Sequence, residues 1–196
     1  QNSGAEVTCP LTAHAAAGQT LVVEKLVCIR TSRDADERIA AAPSDWSFRA
    51  LWDAHTAAWS HTWQNCDRTL PDEELQIGLR YSMFQLMASC AAHDPTVSIG
   101  ARGLTHARYK GCYFWDTDLF MLPFFLKNDK TAAKNLCLYR ANALDAARDH
   151  AKKMNAAGAR YPWMAALGGS EQCETWDIGC SEVHITADVA YALGEY

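Results

Sequence analysis

Hydrophobic residues return at helical spacing over most of the chain. From Trp46 onward they recur every three or four residues, which predicts a first helix whose aromatic stripe packs in a core. That stripe consists of Phe48, Leu51, Trp52, His55, Trp59 and Trp63. Residues 69–72 have the spacing of a capping box and predict the start of a second helix, which residues 93–95 would end. Its expected inner face comprises Leu75, Leu79, Met83, Leu86, Met87 and Cys90.

A long irregular loop is expected from about residue 94 to 115. Loops of this length inside a compact domain are usually functional. A helical segment should follow from about Thr117, interrupted near Pro123 because proline cannot donate a backbone hydrogen bond.

One long amphipathic helix is predicted over residues 129 to 154, followed by a second irregular loop over about 156 to 180. A final helix would then begin at Ser181 or Glu182. The inner side of the long helix would carry Ala132, Ala133, Leu136, Tyr139, Ala143, Ala146, Ala147 and His150.

Residues 20–30 break the helical pattern, because they are rich in β-branched residues and predict a strand. Charges and Pro43 in residues 31–45 favour a linker. The predicted strand has no partner strand and the last helix has no stop signal at Tyr196. We therefore expect an internal piece of a larger protein, with residues 1–30 as the end of a β-domain and 46–196 as a helical domain.

The repeated order of helix, turn, helix and long loop is typical of helical hairpins stacked in a ring. Such a ring gathers its long loops on one side, where they line a cleft. The chain has no βαβ alternation and no G-x-G-x-x-G motif, which argues against a dinucleotide-binding domain. The predicted fold class is mainly α.

Composition narrows the expected partners and compartment. The net charge of −5 argues against nucleic acid and anionic membranes. No apolar run approaches the roughly 18 residues that a bilayer-spanning helix needs. The eight cysteines are dispersed without a C-x-x-C pair, so we expect reduced thiols in a cytoplasmic protein and no metal site. A Cys173–Cys180 disulfide remains the alternative.

Three loop clusters carry the candidate chemistry. The first contains Trp115 and Asp116, the second Trp163, and the third Glu182 and His184. An aromatic ring can cover the apolar face of a pyranose while carboxylates accept its hydroxyl protons. The pattern favours a sugar-binding site. Arg102 would either line this site or support its loop through a salt bridge. The alternative is structural, with a buried Trp115 and with Asp116 capping the helix that starts near Thr117.

These clusters resemble glycoside hydrolase family 65, which contains inverting phosphorylases of maltose, trehalose and kojibiose and some hydrolases. The similarity extends in order over about residues 20–196. It is carried by Thr31-Ser32-Arg33-Asp34, Leu51-Trp52-Asp53-Ala54-His55 with Trp59 and Trp63, Gly100-Ala101-Arg102-Gly103-Leu104, Tyr109-Lys110-Gly111, Phe114-Trp115-Asp116-Thr117, Leu138-Tyr139-Arg140, Gly158-Ala159-Arg160-Tyr161-Pro162-Trp163 and Glu182-Val183-His184-Ile185-Thr186-Ala187-Asp188.

The resemblance implies a β-sandwich remnant, a linker and the first part of an (α/α)6 barrel. It also implies that Trp115 and Asp116 line the glucosyl subsite, with Trp163, Glu182 and His184 at the same cleft. The general acid, a glutamate, would lie beyond Tyr196. Inorganic phosphate would be the co-substrate of a phosphorylase, no cofactor would be needed, and a homodimer of the full-length protein is left open.

Two positions depart from the family pattern, with Cys112 in place of a usual histidine and Asp118 in place of a usual glutamate. Both bear on which sugar is bound. The leading hypothesis is inverting phosphorolysis of an α-glucosyl disaccharide. The alternatives are an inverting α-glucoside hydrolase, a non-catalytic carbohydrate-binding remnant and a structural helical scaffold, although the helices share no repeat period. An opened barrel would also expose Ile185, Val189, Ala192 and Leu193 on its last helix.

Overall fold

The computed structural model describes residues 10–29, 33, 46–103, 108–173 and 175–196. These residues are mainly helical and divide into two compact units, residues 1–64 and 65–196. The α-helices are α1 Phe48–Cys66, α2 Glu73–Ser89, α3 Leu122–Asn128, α4 Lys130–Asn142, α5 Leu144–Lys153 and α6 Ile185–Glu195. A 3₁₀ turn covers Arg108–Gly111, and π-helical turns cover Thr117–Met121 and Trp176–Cys180. The linker predicted over 31–45, Arg33 apart, lies outside the described residues, as does Leu104.

The strand predicted over residues 20–30 does not form in the described part, residues 20–29, which have no regular secondary structure. A strand is stabilised by hydrogen bonds to a neighbouring strand, so a β-branched run without a partner gains little by becoming one. Val22 is 77% exposed and Ile29 is 87% exposed. The division into domains at residues 30 and 45 stays a prediction.

The aromatic stripe of α1 does not pack in a core as the sequence predicted. Phe48 is 56% exposed and Trp52 is 53% exposed, and within residues 10–64 no second helix is described that could cover them. The rings instead follow one another along the helix, with centroids 6.0 Å apart for Phe48 and Trp52 and 6.4 Å apart for Trp59 and Trp63.

Helix α2 begins at Glu73, and its N-cap is Asp72 instead of Thr69, because the Asp72 carboxylate accepts the backbone N–H of Leu75 at 2.9 Å. The helix ends at Ser89, before the predicted stop. Met83 is buried as expected, but Leu75 is 64% exposed, so the predicted inner face holds only toward the C-terminal end.

The main core of residues 65–196 lies where α3 and α4 pack together. Its buried residues are Ile99, Leu122, Phe125, Ala132, Ala133, Leu136, Cys137 and Ala192. Small alanines on α4 let the neighbouring helices approach closely. Pro123 lies in the first turn of α3, after the π-helical turn, which agrees with the predicted interruption.

The helix predicted over residues 129–154 is two helices, although its predicted inner residues are buried or half-buried. Asp129 caps α4 through the backbone N–H groups of Thr131 and Ala132, both at 3.0 Å. The break falls at Ala143, which is buried. Gly169 approaches it so closely that a Cβ added there would lie 2.2 Å from the Ala143 Cβ.

Replacing Gly169 by alanine should therefore destabilise the protein more than replacing its neighbour Gly168. Both glycines have positive φ, 77° and 82°, so both substitutions carry backbone strain, but nothing lies within 4 Å of a Cβ at Gly168. We expect the clash with Ala143 to add about 1–3 kcal/mol. Thermal unfolding of G169A and G168A measures the difference; equal melting temperatures would contradict it.

A second buried cluster joins α5, α6 and the loop between them. It contains Ala143, Ala147, Tyr161, Ile185 and Val189. Helix α6 starts at Ile185, later than predicted, because residues 181–184 are not helical. The π-helical turn Trp176–Cys180 precedes them. The prediction that this helix exposes an apolar face is wrong for Ile185, Val189 and Ala192, which are at most 3% exposed. Leu193 is 37% exposed.

The six cysteines whose side chains are described form no disulfide. They are Cys66, Cys90, Cys112, Cys137, Cys173 and the exposed Cys28. Burial raises the pKa of Cys90 to about 12, with a further contribution from Asp129, and that of Cys137 to about 11, with a contribution from Asp118. The structure gives no Cys173–Cys180 bridge, since Cys173 is free; the side chain of Cys180 lies outside the described ones.

Candidate carbohydrate site

The segment Phe114–Asp118 turns sharply between a loop and α3, and it presents two of the candidate residues outward. The backbone N–H groups of Asp118 and Leu119 both donate to the Trp115 carbonyl, at 2.9 and 3.1 Å. Phe114 is buried, Trp115 is half-buried and Asp116 is exposed. Asp116 makes no side-chain capping bond to the turn. Asp116 thus occupies the N-cap position of Thr117–Met121, but no capping hydrogen bond from its side chain supports the structural alternative.

A buried ion pair fixes this turn from behind. The Nε of Arg140 donates to both Asp118 oxygens at 3.0 and 3.1 Å, and its Nη2 donates to Oδ2 at 2.5 Å. The same Nη2 donates to the Phe114 carbonyl at 3.3 Å. Both side chains are almost fully buried, 2% and 7% exposed. Arg140 thus ties helix α4 to the two ends of the turn that carries Trp115 and Asp116.

The Asp118 carboxylate stabilises the positive charge of Arg140. Burial alone would lower the pKa of this guanidinium, but the Asp118 carboxylate outweighs burial and raises the pKa above its usual value. Asp118 is therefore a structural carboxylate in this chain. The departure from the glutamate that the resemblance gives as usual therefore alters a buried ion pair and not an exposed side chain.

Three loops come together through isolated backbone bridges beside this turn. Gly100 pairs with Tyr113, Tyr113 pairs with Ala165, and Ala165 pairs with Glu171. Tyr113 and Ala165 exchange both hydrogen bonds, at 2.8 and 2.9 Å. These pairings fix the loop that carries Trp163 beside the segment that carries Trp115.

Trp115, Trp163 and His184 form one aromatic cluster. The ring centroids of Trp115 and His184 are 4.8 Å apart, and those of Trp163 and His184 are 6.5 Å apart, both close to perpendicular. Phe114 lies under Trp163 at 5.8 Å. Both tryptophans also pack on the second buried cluster. The structure therefore brings together residues from all three predicted loop clusters.

His184 is held by two carboxylates. Its Nδ1 lies 2.5 Å from Asp188 Oδ2 and its Nε2 lies 3.3 Å from Glu182 Oε2. The side chains of His184 and Glu182 are 42% and 38% exposed, so both reach solvent. The His184 ring contacts both Trp115 and Trp163 and so links them in one cluster.

Arg102 is not part of this cluster. It is exposed and lines a separate groove of about 440 Å³ beside the C-terminal half of α2 and Met121. Its guanidinium lies 5.9 Å from the ring centroid of Tyr109, which contacts Phe114 at 5.5 Å. Cys112, the other departure from the family pattern, is buried, and burial raises the pKa of its thiol.

Sequence reasoning missed two groups that shape the site, the Asp118–Arg140 pair and Glu171. The Glu171 carboxylate accepts the backbone N–H groups of Trp163, Met164 and Cys173. No local sequence pattern indicates the role of either group, although Arg140 belongs to the motif Leu138-Tyr139-Arg140. Within the described ranges no group of three or more His, Cys, Asp or Glu side chains could hold a metal ion, and no helix there is long and apolar enough to cross a membrane.

Comparison with known proteins gives relatives of one kind. The chain is 41% identical over 198 residues to a kojibiose phosphorylase of Caldanaerobacter subterraneus subsp. tengcongensis. This alignment covers 91% of the chain and 26% of the relative. It is 35% identical over 189 residues to an α,α-trehalose phosphorylase of Thermoanaerobacter brockii, over 91% of the chain and 24% of the relative. It is also 35% identical over 184 residues to a maltose phosphorylase of Bacillus subtilis, over 89% of the chain and 24% of the relative.

A solved structure of a candidate kojibiose phosphorylase from the human microbiome is similar, with a TM-score of 0.69 and 34% identity over 75% of this chain and 22% of that one. The chain thus spans about a quarter of the length of these relatives. The model of the glycosyl hydrolase family 65 central catalytic domain matches residues 80–196. The chain belongs to glycosyl hydrolase family 65.

Proposed function

We propose that the protein carrying this chain phosphorolyses an α-glucosyl disaccharide with inversion, transferring the glucosyl unit to inorganic phosphate. The observation that carries the proposal is the exposed Asp116 carboxylate beside the half-buried Trp115 ring, next to Trp163 and His184. Relatives named as kojibiose, trehalose and maltose phosphorylases support it.

In this proposal the chain binds and orients the sugar. Trp115 and Trp163 offer apolar rings to the C–H face of the glucosyl unit. Asp116, which has no structural bond to satisfy in the turn, accepts hydroxyl protons, and such hydrogen bonds can strengthen in the transition state. Glu182 lies at the rim of the same cluster. The general acid comes from outside residues 1–196, as the family resemblance implies.

The choice between phosphorolysis and hydrolysis depends on the nucleophile. Phosphate is already an anion and needs no base, whereas water needs a second carboxylate to take its proton. No cofactor is required for either reaction. The homodimer, the cytoplasmic location and the absence of a cofactor stay predictions beside this proposal.

Phosphate dependence tests the proposal directly. We expect kojibiose, trehalose or maltose to be cleaved only when inorganic phosphate is present, with release of a glucose phosphate of inverted anomeric configuration. Proton NMR of the fresh product gives both the configuration and the identity of the product. Release of two free monosaccharides in phosphate-free buffer would show that the protein is a hydrolase instead. Binding of the disaccharide without cleavage would favour the hypothesis of a non-catalytic carbohydrate-binding remnant.

A further inference from the structure

The side chain of Glu171 is placed to hold one of the two site tryptophans. Its Oε2 accepts the backbone N–H of Trp163 at 2.7 Å, and its Oε1 accepts those of Met164 and Cys173 at 3.1 and 2.9 Å. Three N–H groups converge on one half-buried carboxylate. Only an ionised carboxylate offers acceptors at both oxygens, so no neutral side chain of the same size can replace it.

These bonds close the loop that carries Trp163. The chain leaves Trp163 through Ala165, which is paired with Tyr113, and returns through Gln172, whose N–H donates to the Met164 carbonyl at 2.8 Å. Glu171 lies on the returning side and binds the outgoing side at Trp163 itself. The backbone at Trp163 is thereby fixed relative to the segment that leads to Trp115.

The ring of Trp163 depends on that backbone position. It meets Phe114 nearly edge-on at 87° and His184 at 80°, so a small movement of its Cα would change both contacts. We propose that Glu171 is a positioning residue that holds the Trp163 ring at the angle at which it receives the sugar. The statement that this ring receives a sugar rests on the proposed function; the statement that Glu171 sets its position does not.

The isosteric variant Glu171→Gln gives the sharpest test. A glutamine keeps the size of the side chain but turns one of the two oxygens into an NH₂ group, which would face at least one backbone N–H as a second donor. Ser170→Ala is the matched control, because Ser170 lies on the same loop and its hydroxyl contacts Gln172 and not Trp163 or Met164.

Fluorine NMR of the whole protein labelled with 5-fluorotryptophan gives one signal for each tryptophan, seven of which lie in this chain. Trp163→Phe assigns the Trp163 signal by its loss. We expect E171Q to shift that signal, and at most that of Trp115 with it, while S170A leaves all signals in place. An unmoved Trp163 signal in E171Q would overturn the proposal, and so would a shift of all the signals together with a lower melting temperature.

Kinetics then separate positioning from general stability. We expect E171Q to raise KM for the disaccharide about tenfold, the effect of one lost aromatic contact, with kcat within about twofold of its original value. An unchanged KM beside a shifted Trp163 signal would overturn the functional part of the inference. If the unmodified protein cleaves no disaccharide, the proposed function fails, and the fluorine signal alone still decides whether Glu171 positions Trp163.

Discussion

Replacing Asp116 by asparagine should lower kcat/KM for the disaccharide about a hundredfold without changing the melting temperature. A hydrogen bond to a charged group contributes about 1.5–3 kcal/mol. Sugar hydroxyls bound by the Asp116 carboxylate would lose most of this free energy when the charge is removed, which corresponds to about a hundredfold in kcat/KM. The fold should be unaffected, because Asp116 is exposed and makes no capping bond in its turn. Steady-state kinetics beside thermal unfolding measure both quantities.

The control for this experiment is Asp149→Asn, which removes another exposed carboxylate, 66% accessible, on α5. It should leave kcat/KM unchanged. If D116N lost stability and activity in proportion, Asp116 would be a structural residue and the sugar-binding role would be wrong. An unchanged kcat/KM in D116N would also show that Asp116 does not bind the sugar.

Replacing Asp118 by asparagine has the largest expected effect on stability. The substitution leaves the Arg140 charge buried without its carboxylate, and breaking a buried pair in this way costs about 3–5 kcal/mol. For a domain of this size that corresponds to a fall in melting temperature of roughly 10 °C. Activity should fall as well, since the turn that presents Trp115 and Asp116 loses its support from Arg140.

Two further variants isolate the cause. Asp145→Asn breaks an exposed pair with Arg148, whose side chains are 91% and 55% accessible, and should change the melting temperature little. The double substitution D118L/R140M removes both charges and should restore much of the stability that D118N loses. A D118N protein as stable as its parent would show that Arg140 finds another partner on substitution.

The aromatic cluster could be found from the sequence because its members lie in motifs that the family shares. Trp115, Trp163 and His184 are far apart along the chain, and the expected gathering of long loops, together with the resemblance, indicated that they belong to one cleft; the structure places both tryptophan rings in contact with His184. Arg102 was grouped with them on the same grounds but lines a different groove. A motif therefore marks a segment reliably, but it does not say which way each side chain points.

Other features depend on contacts that no local pattern reveals. Hydrophobic periodicity located the inner face of α4 and α5, but it could not show the break at Ala143, which coincides with the close approach of Gly169 from another loop. An arginine within a helix is normally exposed, so the burial of Arg140 depends on Asp118, 22 residues earlier. The strand predicted over residues 20–30 failed for the same reason, since pairing requires a partner that the described residues do not supply.

The bridges between Gly100, Tyr113, Ala165 and Glu171 have a consequence for the order in which the chain folds. Helices α3, α4 and α5 are built from local hydrogen bonds, whereas the bridge between Tyr113 and Ala165 joins segments that are distant in sequence and forms only after the chain between them has folded back. We therefore expect the helical core to assemble first and the cleft loops last. Elements that form late and open easily gain most from a ligand that binds only the folded state, so a bound sugar would complete the folding of its own site.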